Sequence, residues 1–222
     1  MYLEFLSDSW SFFKVHAVAL SLIVLPFAIP VEIFNALYQH VFTNGEEQIL
    51  PMVIHFIVYP IYTIAVVYYI ASFVSGEAIG TKALWRLGMK RWFPYITLSA
   101  LVGLATIGGL VLLIVPGIIV IVRCAFAEFE LLLNHKEPMD AIIKSAASTK
   151  EHFWIILSGF AVITVVLYAP YIMFFTLFDE TSTAFWVIEM LVSFAYAVLD
   201  VLFIIFAFRV YEYAKSQDSA DV

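Results

Sequence analysis

Hydrophobic residues are grouped along the chain in six long runs, separated by short segments that contain most of the polar residues. An α-helix needs about 20 mostly apolar residues to cross the hydrocarbon core of a bilayer. The pattern therefore predicts six transmembrane helices, at residues 12–33, 51–75, 93–115, 117–134, 153–178 and 183–210. The fourth run is the shortest and the most polar. Pro116 and Gly117 separate it from the third run, so we expect a tight hairpin turn there.

The basic residues indicate the orientation of these spans. Lys and Arg occur in the segments 76–92 and 135–152 and near the C-terminus, whereas the segments 33–50, 116–117 and 179–182 contain none. Basic residues collect on the cytoplasmic side of membrane proteins. The alternation fits six crossings and predicts that both termini are cytoplasmic. We therefore expect an all-α integral membrane fold, a six-helix bundle that forms a single transmembrane domain over residues 1–222.

Two cytoplasmic segments have the pattern of amphipathic helices. In the first, Lys82, Arg86 and Lys90 recur every four residues and therefore share one helix face. Such a basic face suits the anionic inner leaflet, so membrane lipid is the expected partner. In the second, Pro138 favours a helix start, and apolar side chains follow at helical spacing, at Met139, Ile142, Ile143 and Ala146. The alternative for both helices is that they seal the cytoplasmic face of the bundle.

Small residues in the third run indicate a close helix contact. Ala105 and Gly109 are four residues apart, a spacing that lets two helix backbones approach closely. Packing within the chain is favoured, and a homo-oligomer is the alternative.

Composition agrees with a membrane protein and argues against several functions. Of the 222 residues, 64% are hydrophobic and 13% are charged, against about 25% charged residues in an average soluble domain. The net charge of −7 and the lack of a basic run argue against nucleic-acid binding. The single cysteine, Cys124, excludes an intramolecular disulfide. No histidine pair has metal-ligand spacing, and no P-loop, GxGxxG or GxSxG motif occurs, so we expect no metal, no cofactor and no enzymatic activity.

Ionisable residues inside the predicted spans are the strongest candidates for a site, because such groups are costly in a bilayer. Arg123 lies in the fourth span, and Glu189 and Asp200 lie in the sixth. Arg123 and Glu189 are each about 9 Å from the outer end of their spans, so they are expected partners. Glu189 and Asp200 are eleven residues apart and share a helix face. Arg123 and Glu130 are seven apart and share another, so these four residues predict a polar seam between two spans.

Two interpretations of this seam compete. In the favoured one, Arg123 and Glu189 form a structural ion pair, and Asp200 hydrogen-bonds to a Tyr, Ser or His neighbour such as His16. In the other, the seam is a path for protons or a substrate through the bundle. The second span also contains a tyrosine cluster, interpreted as packing residues rather than as a ligand site: Tyr59, Tyr62, Tyr68 and Tyr69.

The stretch LLIVPGIIVIVRCAFAEFELLLNHKEPMDAIIKSAASTKEHFW, residues 112–154, resembles the core pattern of the YciC-like bacterial inner-membrane proteins. These are related to the membrane domain of some glycerophosphodiester phosphodiesterases. The shared elements are the apolar run into Pro116-Gly117, the span after it, and a loop helix with Ser145 before Trp154. The segments ALWRLGMKRWFPYITL and FAFRVYEYAKS also look similar. Arg123 departs from the family, in which this position is usually apolar.

The resemblance implies a six-helix protein of the bacterial inner membrane. It implies no catalytic residues, because the phosphodiesterase chemistry of the relatives lies in a separate soluble domain. The sequence thus favours a non-enzymatic scaffold or partner in envelope or lipid homeostasis, which contacts anionic lipid through its basic helix. The alternative is a small transporter or channel that works through the polar seam. A protein partner or a homo-oligomer is compatible with both.

Overall fold

The computed structural model describes residues 2–38, 49–77, 79–177 and 183–220. Within these ranges every regular element is a helix, as the hydrophobic pattern predicts. The helices are α1 (Tyr2–Leu37), α2 (Ile49–Val74), α3 (Thr81–Lys90), α4 (Trp92–Leu112), α5 (Ile114–Arg123), α6 (Ala127–Leu132), α7 (Pro138–Ser148), α8 (Phe153–Leu177), α9 (Thr183–Leu199) and α10 (Val201–Ala220).

Five segments of the described chain form helices long and apolar enough to cross a membrane. They are Leu3–Leu37, Ile49–Val74, Trp92–Leu112, Phe153–Phe174 and Val187–Gln217. The last of these combines most of α9 and α10. Large apolar side chains such as Val18 and Val165 are exposed on these helices, where a bilayer would supply lipid contacts. The prediction of an all-α, multi-pass membrane protein is thereby confirmed.

The fourth predicted span, residues 117–134, is not one continuous helix. α5 has 10 residues and rises only about 15 Å, half of what a bilayer core requires. The chain then turns and resumes as α6, which has 6 residues. The Ser145 hydroxyl of α7 bridges the break: it donates to the carbonyl of Arg123 at 2.7 Å and accepts the N–H of Phe126 at 3.1 Å. The continuous span is therefore corrected to two short helices.

The turn of the α4–α5 hairpin lies at Leu113, not at Pro116 and Gly117 as predicted. Leu113 is fully extended, with φ −166° and ψ 154°. Pro116 lies in the first turn of α5, where its missing N–H has no helical acceptor in any case. Gly117 instead serves close packing, because a Cβ on Gly109 of α4 would lie 2.8 Å from its Cα. Gly109 thus packs within the chain, as its spacing predicts.

The two ends of the bundle are distinguished by contacts among its long helices. The rings of Phe5 in α1 and Tyr213 in α10 are 5.4 Å apart. His152, just before α8, contacts the same tyrosine ring, and Phe12 of α1 contacts Phe73 near the end of α2. We call this the terminal end, because both ends of the described chain lie there. The opposite, distal end holds the end of α1, the start of α2 and the end of α8.

The packed core lies toward the terminal end, where α6 fits between α2 and α10. Phe129, Leu131 and Leu132 of this short helix are fully buried. The ring of Phe129 packs edge-to-face on that of Phe208 at 5.4 Å. The second half of the fourth apolar run therefore supplies core packing rather than a lipid-facing wall.

The basic amphipathic helix forms as predicted. α3 exposes Lys82, Arg86 and Lys90 and buries Leu84 and Gly88 on its other face. Gly88 is needed there, because any Cβ would overlap the backbone carbonyl of Ile61 in α2. α3 is therefore packed against the bundle on one side and presents three basic side chains on the other.

The second predicted amphipathic helix also forms, but it buries a different face. α7 begins at Pro138 with Glu137 as its N-cap, as predicted. Met139 and Ile143 of the expected apolar face are exposed. The buried residues are instead Ala141, Ser145 and Thr149, spaced four apart. Small side chains occupy this buried face of α7 because hydroxyl groups must lie close to the backbone of the α5–α6 break.

Candidate functional site

A partly enclosed cavity of about 300 Å³ lies in the distal half of the bundle. Helices α1, α2, α8, α9 and α10 contribute its walls. Its polar lining is Glu32, His55, Tyr59, Tyr62, Thr63, Tyr168, Tyr171, Ser193, Tyr196 and Asp200. This volume is at the lower limit of small-molecule sites, which span about 300–1,000 Å³.

Helical periodicity explains why these residues reach one cavity. Ser193, Tyr196 and Asp200 are three and four residues apart, so they share one face of α9 and of its junction with α10. On α2, Tyr59 and Tyr62 are likewise three apart. Each helix thus directs one polar stripe inward, while its remaining apolar surface meets other helices or lipid.

Asp200 is an acidic lining residue that accepts a hydrogen bond within the cavity wall. The hydroxyl of Tyr168 donates to its Oδ1 at 2.9 Å. On the same wall, the hydroxyl of Tyr196 donates to the carbonyl of Leu167 at 2.8 Å. The expectation that Asp200 bonds to a neighbouring Tyr, Ser or His is met by Tyr168. His16, the example given, instead contacts the hydroxyl of Tyr69 at 2.7 Å.

Aromatic rings form much of the cavity wall. Tyr171 and Tyr196 meet with ring centroids 4.8 Å apart, and Tyr168 lies 6.0 Å from Tyr196. Across the cavity, Tyr59 contacts Tyr62 at 5.3 Å and His55 at 5.6 Å. Aromatic faces carry negative charge density and attract cations that approach within about 6 Å.

The ionisable groups give the cavity an acidic character. Glu32 and Asp200 both line it, and His55 lies within electrostatic range of each carboxyl. Among the described residues, no group of three or more His, Cys, Asp or Glu side chains is placed to hold a metal ion. The cavity thus combines two carboxyls with a wall of aromatic rings.

The cavity ends toward the terminal end in closely packed apolar side chains. Ile64 and Val67 follow the lining residues of α2, and Phe206 follows those of α10; all three are fully buried. The ring of Phe206 rests directly on the backbone of Gly159 in α8, where any Cβ would overlap it. This layer is a floor that separates the cavity from the terminal end.

A further acid, the partly buried Glu128, lies near the cavity. The hydroxyl of Tyr95 in α4 donates to Oε2 of Glu128 in α6 at 2.8 Å. Tyr59, a lining residue, lies within electrostatic range of Glu128. Polar side chains thus extend from the cavity toward α6.

The predicted ion pair between Arg123 and Glu189 is wrong. The guanidinium of Arg123 donates to the carbonyl of Ala146 at 2.8 Å and lies 5.9 Å from the ring centre of Phe153. Glu189 is within electrostatic range of Tyr171. Phe153 and Tyr171 are 18 residues apart on α8, about 27 Å, so the two charges lie near opposite ends of that helix. Arg123 and Glu189 do not lie at matching depths, because α5 is too short to form a full span.

The predicted polar seam is divided into separate places. Glu130 is buried near the terminal end, where Lys136 lies 3.4 Å from its Oε2 and Asn134 donates to it at 2.9 Å. Arg123 cannot share a helix face with Glu130, because the turn at 124–126 separates them. Only Asp200 of the predicted seam lines the cavity, and Glu189 lies one helical turn before Ser193.

Sequence reasoning missed most of the cavity. Glu32 lies inside the first predicted span but so near its end that its cost in a bilayer is small. His55 and the tyrosines are common packing residues, and pairs such as Tyr168 and Tyr171 also suit an aromatic belt. The sequence signal for the cavity is the three-residue spacing of tyrosines on two spans, at Tyr59 and Tyr62 and at Tyr168 and Tyr171.

The chain matches no model of a known protein family, no curated protein and no solved structure. The resemblance to YciC-like proteins therefore stays a prediction.

Proposed function

We propose that this membrane protein binds a small organic cation in its distal cavity and carries it across the bilayer. The observation that carries the proposal is the combination of Asp200 and Glu32 with a wall of aromatic rings in one cavity. The sequence also suggests a transporter as the alternative function. The proposal keeps that function but places the binding site in the cavity instead of in the predicted polar seam.

An ammonium group fits this lining for two physical reasons. The carboxyls of Asp200 and Glu32 supply charge attraction, which is strong where low-dielectric walls exclude water. The faces of Tyr171 and Tyr196 supply cation–π attraction, the usual mode by which quaternary ammonium ligands are held. An anion would meet two carboxyls and would be repelled.

Passage across the membrane requires the apolar floor to open. With the floor closed, a solute entering from the distal end can reach Asp200 and go no further. Transporters of this general kind bind near the bilayer midplane and expose the site alternately to the two sides. The floor formed by Ile64, Val67 and Phe206 is therefore the expected inner gate.

The test is uptake of radiolabelled tetraethylammonium by proteoliposomes that contain the purified protein. Asp200→Asn should reduce uptake at least tenfold, because the cation loses its main counter-charge. Thermal stability should stay nearly unchanged, since the amide oxygen of asparagine still accepts the bond from Tyr168. Glu32→Gln should give a smaller decrease.

Asp140→Asn is the matched control, because Asp140 is an exposed residue of α7 far along the chain from the cavity residues. It should transport like the unmodified protein. Uptake by the unmodified protein no faster than by empty vesicles would refute the transport proposal.

A second candidate is the non-enzymatic scaffold that contacts anionic lipid. The observation that favours it is the exposure of Lys82, Arg86 and Lys90 on one face of α3. Replacing all three by glutamine should reduce binding to vesicles that contain phosphatidylglycerol and leave binding to neutral vesicles unchanged. Equal binding before and after the replacement would count against this role.

For either role we propose an inner-membrane location with both termini cytoplasmic. The alternation of basic segments supports it, and so does the contact between Phe5 and Tyr213 at one end of the bundle.

A further inference from the structure

A second recess lies at the terminal end, between α7, the segment 133–137 and α10. Its volume is about 200 Å³. Its polar lining is Glu130, Asn134, Lys136, Lys144, Ser148, Tyr211 and Lys215. Three ammonium groups thus surround a recess that contains one carboxyl, the reverse of the charge balance in the distal cavity.

The one acid in this recess is already compensated by its neighbours. Glu130 is almost completely buried, and Lys136 lies 3.4 Å from its Oε2. Asn134 donates to the same oxygen at 2.9 Å and to the hydroxyl of Tyr211 at 2.9 Å. Because Lys136 is paired with this carboxyl, the exposed ammonium group of Lys144 adds a further positive charge to the lining of the recess.

We propose that this recess binds a phosphate group. Lysine binds phosphate as a point charge, and the hydroxyl of Ser148 can donate to a phosphate oxygen beside Lys144. Both residues lie on α7, four positions apart, so they occupy one helix face. The site is separate from the cation cavity, and the proposal is independent of the transport function.

Two sources of phosphate are consistent with this chemistry, an anionic lipid headgroup and a soluble phosphate. The recess lies beside the start of α8 and the end of α10, where the apolar spans give way to charged residues. Headgroups of a bilayer lie at this level. A short-chain phosphatidic acid and inorganic phosphate therefore serve as the two probes.

Titration of each probe onto the detergent-solubilised protein, followed by native mass spectrometry, tests the proposal. The unmodified protein should bind short-chain phosphatidic acid and should not bind short-chain phosphatidylcholine comparably. Lys144→Gln should raise the dissociation constant about fivefold. Adding Ser148→Ala should bring the total loss to about 50-fold, because a hydrogen bond to a charged group is lost as well. Lys136 is left in place, since its removal would strand the buried carboxyl of Glu130.

Lys150→Gln is the matched control, because it removes the same charge from an exposed lysine just beyond α7 that does not line the recess. It should bind both probes like the unmodified protein. Binding of phosphatidic acid alone supports a lipid site, and binding of inorganic phosphate as well supports a site open to soluble phosphates. Equal affinity in the Lys144→Gln/Ser148→Ala variant and the unmodified protein, for both probes, overturns the proposal.

Discussion

At the scale of single residues, Ser145 has the most consequential contacts. It is fully buried, and its hydroxyl bonds to backbone groups on both sides of the α5–α6 break. The carbonyl of Arg123 also receives a weaker bond from Thr149 at 3.3 Å. A break in a helix leaves backbone groups without partners, and buried groups of this kind must be satisfied elsewhere. One side chain of α7 therefore stabilises the break that divides the fourth apolar run into two helices.

Ser145→Ala should lower the free energy of unfolding by about 1–3 kcal/mol, because the N–H of Phe126 loses its acceptor while buried. Denaturant titration in detergent micelles measures the change. Ser158→Ala is the control, because its hydroxyl bonds only to the Ile155 carbonyl of its own helix. A loss for Ser145→Ala no larger than for this control would contradict the role given to Ser145.

At the scale of elements, α3 is held to the bundle along most of its length. The indole N–H of Trp85 donates to the carbonyl of Ile23 in α1 at 3.2 Å. Just after α3, the indole of Trp92 donates to the carbonyl of Ile57 in α2 at 2.7 Å. Between them Gly88 lies against the backbone of Ile61. The helix therefore belongs to the bundle, and its basic face remains exposed.

Gly88→Ala should detach α3, because the added methyl group meets a backbone carbonyl that cannot turn aside. The expected loss is about 1–3 kcal/mol, the range for an overpacked contact. Hydrogen–deuterium exchange of residues 81–90 should become faster, as judged by mass spectrometry. Gly103→Ala is the control, since nothing lies within 4 Å of a Cβ at that helical glycine; equal exchange in both variants would refute the contact.

At the scale of the whole molecule, two polar sites of opposite charge lie toward opposite ends of the bundle. The acidic, aromatic cavity is in the distal half, and the lysine-rich recess is at the terminal end. Buried apolar residues such as Ile64 and Phe206 separate them. The two ends of the bundle therefore differ in the charged side chains that line their recesses.

The orientation of the bundle is tested by labelling single cysteines with a membrane-impermeant maleimide. In a Cys124→Ser background, Lys150→Cys and Ser216→Cys should react from the same side, because both residues are exposed at the terminal end. Thr176→Cys, near the end of α8, should react only from the opposite side. Labelling of Ser216→Cys and Thr176→Cys from one side would contradict the two-ended arrangement.

Several features follow from local pattern and were predictable without tertiary contacts. Run length and apolarity indicate a multi-pass helical protein, because backbone groups in a bilayer must be satisfied within each helix. The spacing of Lys82, Arg86 and Lys90 predicts the exposed face of α3, and Pro138 predicts the start of α7. Asp200 was also recognised as a polar residue in a span with a nearby hydrogen-bond partner.

The cavity and the broken fourth segment could not be predicted in this way. Depth estimates assume that each apolar run is one straight helix, and this assumption fails for α5 and α6. It placed Arg123 beside Glu189, whereas Arg123 contacts Ala146. The sequence of a single apolar run also does not distinguish a tyrosine that lines a cavity from one that packs in the core. Tyr59 and Tyr69 have the same side chain and differ only in the groups that surround them in the folded protein.

Hydrophobic length and periodicity within each segment are thus enough to predict the class of the protein and the position of its long helices. Which polar groups meet depends instead on how the helices pack. Glu32 lies on α1, His55 on α2 and Asp200 at the junction of α9 and α10, and their shared cavity depends on how those helices rotate and pack. Ser145 likewise acts on a break 22 residues away from it at Arg123. Contacts between segments distant in sequence leave no local pattern, and the candidate site depends on such contacts.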